Sequence, residues 1–91
     1  MFGIYRTMTT RVDERIKVGV VFREEGQKME PKWFSWRGRH LKITKTTYVW
    51  REREGRDVIH RFMVTDGNDL YELSYRSEKL LWFLEAVETD G

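Results

Sequence analysis

Cysteine is absent from this chain of 91 residues, and proline occurs once, at Pro31. Without cysteine the chain can form neither a disulfide bond nor a thiolate metal site, so the hydrophobic core must supply the free energy of folding. Five phenylalanines, four tryptophans and four tyrosines provide large side chains for that core. A chain of this length forms a single domain.

Long apolar runs of the kind found in signal and membrane segments are also absent. Together with the lack of cysteine, this predicts a cytoplasmic protein with no membrane partner. Residues 1–11 are polar and mixed, and we interpret them as a flexible or loosely docked N-terminal segment ahead of a single β domain at 12–91. A second methionine, Met8, leaves open whether translation starts there or at Met1.

Charge is spread unevenly along a chain whose formal net charge is only +2. Residues 28–45 contain six basic residues and one acid, Glu30, whereas residues 66–91 contain seven acids and two bases. The small net charge argues against a protein that binds polyanions by charge alone. The uneven distribution predicts a basic face and an acidic face, or head-to-tail self-association.

Apolar and polar residues alternate in short segments separated by turn residues, which is typical of half-buried β-strands. The clearest alternating segments are 16–22, 58–64 and 71–75. Phe34 and Trp36 share one face of a further strand that follows Pro31. The turns between them are rich in Gly, Asp, Asn and Glu, and 66–69 has the composition of a hairpin turn.

The stretch from Arg39 to Arg53 changes its alternation partway. Leu41 and Ile43 share one parity, whereas Tyr48 and Trp50 share the other. A change of parity within one strand indicates a β-bulge, which we place within 44–47.

These segments predict an all-β fold, either a small antiparallel barrel or a strongly coiled sheet of about six strands. Residues on the apolar parity of each strand are expected to be largely buried. The large ones are Phe34, Trp36, Phe62, Leu73 and Trp82.

The last segment, residues 78–88, fits two structures. Leu80, Phe83, Leu84 and Val87 have helical spacing, and helix propensity favours that structure. Trp82, Leu84 and Ala86 fit a strand equally well.

Residue patterns typical of enzymes and cofactor sites are missing. The sequence has no glycine-rich phosphate loop, no Gly-x-Ser-x-Gly elbow and no His-Glu-x-x-His motif. His40 and His60 lie in different segments, and we interpret both as ordinary strand residues rather than metal ligands. The acidic residues of 66–69 are read as turn formers rather than a calcium loop. We therefore predict a protein without enzymatic activity, cofactor, catalytic residues or metal site.

One segment, residues 32–42, interleaves basic and aromatic residues. Cations neutralise phosphates and ring faces stack on bases, so this pattern is typical of single-stranded nucleic-acid binding. The other interpretation is that the rings belong to the core and the cations form a solvated edge that discourages aggregation. The candidate binding residues are Lys32, Trp33, Arg37, Arg39 and Lys42.

The same segment carries a resemblance. Its residues, with others further along the chain, are Pro31, Phe34, Trp36, Arg37, Gly38, Arg39, Trp50, Tyr71, Glu72, Leu73, Trp82, Phe83 and Leu84. In this pattern the chain resembles an uncharacterised family of small bacterial all-β domains with a Pro-x-x-Phe-x-Trp-Arg-Gly-Arg motif. The resemblance covers roughly residues 16–88. The chain departs from the family at Leu41, where an aromatic residue is usual, and in its acidic C-terminal end.

The resemblance implies two things. Residues 78–88 form a strand rather than a helix, because glycine-rich versions of this segment in the family would not be stable helices. Some relatives are associated with error-prone DNA polymerases, which implies a DNA-repair setting. The resulting hypothesis is a non-enzymatic accessory module that binds single-stranded nucleic acid or a nucleic-acid-processing protein. The alternative is a protein-interaction or self-association domain, including a homo-oligomer, that binds no nucleic acid.

Overall fold

Seven β-strands make up the computed structural model, which describes residues 7–25 and 28–90. These ranges contain no helix, and hence none that is long and apolar enough to cross a membrane. The predicted all-β fold is confirmed. The strands are β1 (Thr7–Arg23), β2 (Lys28–Trp36), β3 (Arg39–Lys42), β4 (Lys45–Glu54), β5 (Asp57–Thr65), β6 (Leu70–Arg76) and β7 (Leu81–Asp90).

All seven strands belong to one antiparallel sheet, in the order β3-β2-β1-β7-β6-β5-β4. β1 joins the two halves, because its first part pairs with β7 and its second part pairs with β2. Its pairing with β7 shifts register between Arg11 and Glu14, where Asp13 has a φ of 53°. Such bulges increase the twist of a strand. The sheet does not close, so of the two predicted architectures the strongly coiled sheet is the one found.

The predicted bulge within 44–47 is confirmed, since the pairing of β4 with β5 shifts register between Thr46 and Tyr48. The chain also changes its pairing partner just before this bulge. The amide of Ile43 donates to the Lys32 carbonyl at 2.9 Å, and the amide of Thr44 donates to the Thr65 carbonyl at the same distance. The chain thus passes from the edge of β2 to the edge of β5, which divides the predicted single stretch into β3 and β4.

The C-terminal segment is the strand β7, so the helix alternative is excluded. β7 lies between β1 and β6 and pairs with both. Leu73 pairs with Leu84 and Tyr71 with Val87, so two residues of β7 oppose one of β6 at a bulge that contains Glu85. The bulge places Leu84 and Val87 on the same face, three residues apart. This spacing is the reason the sequence also fits a helix.

The core fills the concave face of the sheet. Phe34, Phe62 and Leu73 are buried as predicted, whereas Trp36 and Trp82 are only half-buried and pack against the margin of the core. The buried cluster consists of Phe34, Leu41, Ile43, Phe62, Val64, Tyr71, Leu73, Leu84 and Val87.

Residues 1–6 of the predicted flexible segment lie outside the described residues. Residues 7–11 form the beginning of β1 and pair with β7. At the other end of β1, Phe22 is 74% exposed although it continues the alternation of Ile16 and Val18.

Candidate functional site

The β2–β3 hairpin presents the candidate residues. Its two-residue turn is Arg37 and Gly38, with φ values of 49° and 75°. Two consecutive positive φ values are typical of the tight turn that matches the twist of a hairpin, and glycine adopts this conformation without strain. The turn sets a register in which Trp33 pairs with Lys42.

This register sorts the hairpin into two faces. Phe34 pairs with Leu41, and both are buried in the core. Successive side chains of a strand point to opposite faces, so Trp33 and Lys42 lie on the outer, convex face. His40 and its partner Ser35 lie there as well.

The indole of Trp33 packs on β1 at Gly19, with which it is paired. A Cβ atom at position 19 would lie only 1.9 Å from Nε1 of Trp33, so glycine is required for the ring to lie there. The His40 ring lies on the other side of β2, with its centroid 4.8 Å from that of Trp33 and the planes inclined by 33°. The two rings are therefore held in tilted, offset contact on the outer face.

Two exposed lysines flank these rings. Lys42 pairs with Trp33 from β3, and Lys17 on β1 pairs with Ser35. Neither lysine has an ion-pair partner among residues 7–25 and 28–90. We call the set Lys17, Gly19, Trp33, His40 and Lys42 the Trp33 surface.

Lys32 lies beside this surface with much of its charge neutralised. Its Nζ atom is 2.6 Å from Glu30, which also binds Arg23 at 2.6 Å. Hydrogen bonds from Lys32 and Arg23 lower the pKa of the Glu30 carboxyl below its usual value. Glu30 therefore stays ionised at neutral pH and competes with any phosphate for Lys32.

Arg37 is bound within the fold. Its Nε atom donates to Glu14 at 3.2 Å, the Trp36 indole donates to the same carboxylate at 3.1 Å, and the guanidinium lies 4.9 Å from the Trp36 ring centroid. The hydrogen bond from Arg37 is the main reason that the pKa of Glu14 is lowered, and Glu14 raises the pKa of Arg37 in turn. This contact joins the β2–β3 turn to β1.

Arg39 lies on the other face from Trp33, because it pairs with Trp36. Its positive charge acts on Tyr71, whose hydroxyl donates to Asp66 at 3.0 Å. Burial and the Asp66 carboxylate raise the pKa of Tyr71 to about 12, and Arg39 opposes that rise. Of the five predicted residues, therefore, only Trp33 and Lys42 belong to the Trp33 surface.

Lys17 and Gly19 were missed by the sequence reasoning, and His40 was interpreted as an ordinary strand residue. One signal was available, since a glycine inside an alternating strand indicates that another group packs closely on the backbone. Lys17 is brought to the surface only by the pairing of β1 with β2, which the sequence does not specify.

A groove on the concave side is a second site. It has a volume of about 610 Å³ and lies where the sheet fails to close. The end of the β1–β2 hairpin lines one wall, and strands β4–β6 line the other. We call it the β4 groove; its side chains include Phe22, Lys28, Met29, Val49, Arg51, His60, Phe62 and Tyr75.

His60 reports on the electrostatics of this groove. Burial lowers the pKa of His60 below its ordinary value, Arg51 lowers it further and Asp57 raises it. In the unfolded chain the pKa of a histidine is about 6.5. The stabilisation that comes from the neutral His60 ring is therefore fully present above that pH, and it is lost as the pH falls through the lower pKa of the folded state.

Replacing Arg51 with glutamine is expected to raise the pKa of His60, because it removes a positive charge that lowers this pKa. An NMR titration of the His60 ring protons measures this shift. Lys45→Gln on the same strand removes an exposed charge that does not line the groove, and it serves as the control. Equal titration curves for the parent and Arg51→Gln would show that Arg51 does not act on the groove.

Metal ligands are not grouped in the described ranges, where no three His, Asp or Glu side chains are arranged to hold an ion. His40 and His60 lie on β3 and β5, far apart in the order of the strands. No family model, curated protein or solved structure matches the chain. Function must therefore be argued from the two sites themselves.

Proposed function

We propose that this domain is a non-enzymatic accessory module that binds single-stranded nucleic acid through the Trp33 surface. The observation that carries the proposal is the pair of rings, Trp33 and His40, held 4.8 Å apart on the outer face between two exposed lysines. Stacking of a base on an aromatic side chain contributes about 1–3 kcal/mol and tolerates any base.

The cations on this surface account for phosphate contact and not for base reading. Lys17 and Lys42 are point charges on flexible chains, which suits contact with phosphates rather than bidentate reading of base edges. Lys32, Arg37 and Arg39 contribute less, since Lys32 and Arg37 are bound to Glu30 and Glu14 and Arg39 faces the other way. Binding is therefore weak, dependent on salt and nearly independent of sequence.

The setting we propose is DNA repair, on the strength of the resemblance to domains associated with error-prone polymerases. A module of this kind holds a single strand close to a processing protein. Its small contact area suits a role beside a larger enzyme, which supplies the remaining affinity.

Binding of a fluorescein-labelled oligothymidine at two salt concentrations tests the proposal. The double variant Lys17→Gln/Lys42→Gln is expected to reduce the slope of log affinity against log salt by about one to two, since each single-strand phosphate contact contributes about 0.7. Arg56→Gln/Lys79→Gln removes the same charge from exposed turns elsewhere and is expected to bind like the parent.

The ring contact is tested separately with Trp33→Ala and Gly19→Val. Trp33→Ala is expected to weaken binding about five- to hundredfold. Gly19→Val keeps the indole but displaces it, since a side chain at residue 19 occupies the place of the ring. Melting temperatures show whether each variant is folded. A folded Gly19→Val protein that binds as tightly as the parent, or a parent that binds nothing at low salt, would contradict the proposal.

A further inference from the structure

The edge of the sheet at β4 is long and open. β4 is the last strand in the sheet order and is 10 residues long. Within the described residues, no strand pairs with the edge of β4 that faces away from β5. Unpaired backbone amides and carbonyls of this kind accept an additional strand. Two apolar side chains, Tyr48 and Val49, are more than half exposed there.

The opposite wall of the β4 groove has a second free edge, but a less receptive one. β3 pairs with β2 only from Trp33 to Trp36, so the earlier part of β2, near Lys28 and Met29, lacks a neighbour on that side among the described strands. This part includes Pro31, which has no amide hydrogen to donate. A strand that enters the groove therefore pairs with β4 rather than with β2.

The charges of β4 are neutralised on one face only. On the outer face Glu52 lies 3.0 Å from Arg61, and Glu54 lies 3.9 Å from Arg76. On the groove face Arg51 pairs in register with His60, and Arg53 pairs with Val58. These two arginines, and Lys28 across the groove, have no carboxylate partner in the ranges that the structure describes.

We propose that the β4 groove binds an extended acidic segment of a partner protein, which adds to β4 as an eighth strand and directs apolar and carboxylate side chains into the groove. The apolar side chains pack on Met29 and Val49. The carboxylates face Lys28 and Arg51, which line the groove from its two walls. This interaction is separate from the Trp33 surface, which lies on the convex face.

A second copy of the chain is a poor occupant of the charged part of this edge, residues 51–54. In a two-fold antiparallel pairing, residues of the same parity face each other. When the two-fold axis lies at residues 51–53, Arg51 would face Arg51 or Arg53 of the other copy, or Glu52 would face Glu52 or Glu54. Like charges directly opposite each other destabilise a pair of strands. The alternation of Arg51, Glu52, Arg53 and Glu54 therefore disfavours self-association in these registers while leaving the edge open to a strand of complementary charge.

The experiment uses fluorescence polarisation and synthetic peptides of about ten residues, which match the length of β4. In the first peptide every second residue is threonine, and the residues between are glutamate or phenylalanine. The second peptide carries lysine in place of glutamate. The acidic peptide is expected to bind at least tenfold more tightly than the basic one. Arg51→Glu is expected to weaken its binding about five- to tenfold, whereas Lys45→Glu, the same change outside the groove, is expected to have less than a twofold effect.

Blocking the backbone amides of the peptide distinguishes strand addition from binding through side chains alone. A third peptide is the acidic one with alternate amides N-methylated, and it is expected to lose binding. Hydrogen exchange measured by NMR is expected to slow at β4 amides when the unmodified peptide binds. Equal binding of the acidic and basic peptides, or of the methylated and unmethylated ones, overturns the proposal, as does displacement of the peptide by oligothymidine.

Discussion

Phe34→Ala is expected to lower the free energy of unfolding by about 3–5 kcal/mol, the usual cost of truncating a buried phenylalanine. Phe34 is fully buried, its ring meets Tyr71 edge-on at 5.1 Å, and it pairs with Val18 on β1 and Leu41 on β3. The ring thus connects the β1–β2–β3 half of the sheet with β6. Small domains have stabilities near the lower end of about 5–15 kcal/mol, so this loss approaches the whole stability.

Urea denaturation followed by tryptophan fluorescence measures the change. Phe22→Ala is the matched control, because Phe22 is 74% exposed and its truncation is expected to cost well under about 1 kcal/mol. Similar midpoints for Phe34→Ala and the parent would show that the concave face does not hold the fold together.

Glu85→Ala is expected to destabilise the protein by about 3–5 kcal/mol, the usual cost of removing one partner from a buried network of ion pairs. Glu85 is 6% exposed at the β7 bulge and accepts a hydrogen bond from Ser74 at 2.6 Å. Three arginines approach it, namely Arg11 at 3.5 Å, Arg61 at 3.6 Å and Arg76 at 3.9 Å.

Arg61 is the main reason that Glu85→Ala is expected to lose so much stability. It is mostly buried and also contacts Glu52 and Glu72, each at 3.0 Å. Its Nε atom is buried without a hydrogen bond, because the contact with Glu52 is close but lacks the required geometry. Without Glu85 the guanidinium loses one of its three carboxylates in a region where water does not replace it.

Two variants separate charge from volume at this site. Glu85→Gln keeps the size of the side chain and an acceptor for Ser74, and it is expected to recover part of the stability lost in Glu85→Ala. Glu78→Ala removes an exposed acid from the β6–β7 turn and is expected to change stability by less than about 0.5 kcal/mol. Urea midpoints of all three variants measure these differences. Equal midpoints for Glu85→Ala and Glu78→Ala would mean that the network contributes nothing.

Local patterns predicted the strands well, because alternation and turn formation depend on residues that are neighbours in the sequence. The turn at 66–69 is an example, in which Asp66 accepts hydrogen bonds from the amides of Asn68 and Asp69 at 2.9 Å. The bulge near Thr46 could be predicted because it inverts the parity of the residues on either side. The bulge at Glu85 instead produced a helical spacing, which the residues alone did not distinguish from a helix.

The candidate site was predicted only in part, because its assembly depends on partners distant in the sequence. The segment 32–42 gave Trp33 and Lys42, but not that Arg37 binds Glu14, which is 23 residues earlier. Gly19 and Lys17 join the site through the pairing of β1 with β2. The β4 groove depends on which edges remain unpaired, and composition and periodicity carry no information about that.

The pairing of β1 with β7 has a kinetic consequence. Thr7 pairs with Asp90, so this ladder joins residues from opposite ends of the described chain, whereas the other ladders join consecutive strands. Loop-closure entropy is thus concentrated in one pairing, which is expected to form late and to limit the folding rate. A circular permutant with the two ends linked and the chain opened between β3 and β4, which do not pair with each other, makes that pairing local and leaves every other ladder between consecutive strands. Stopped-flow refolding of the permutant should be faster than that of the parent, and an equal rate would place the slow step elsewhere.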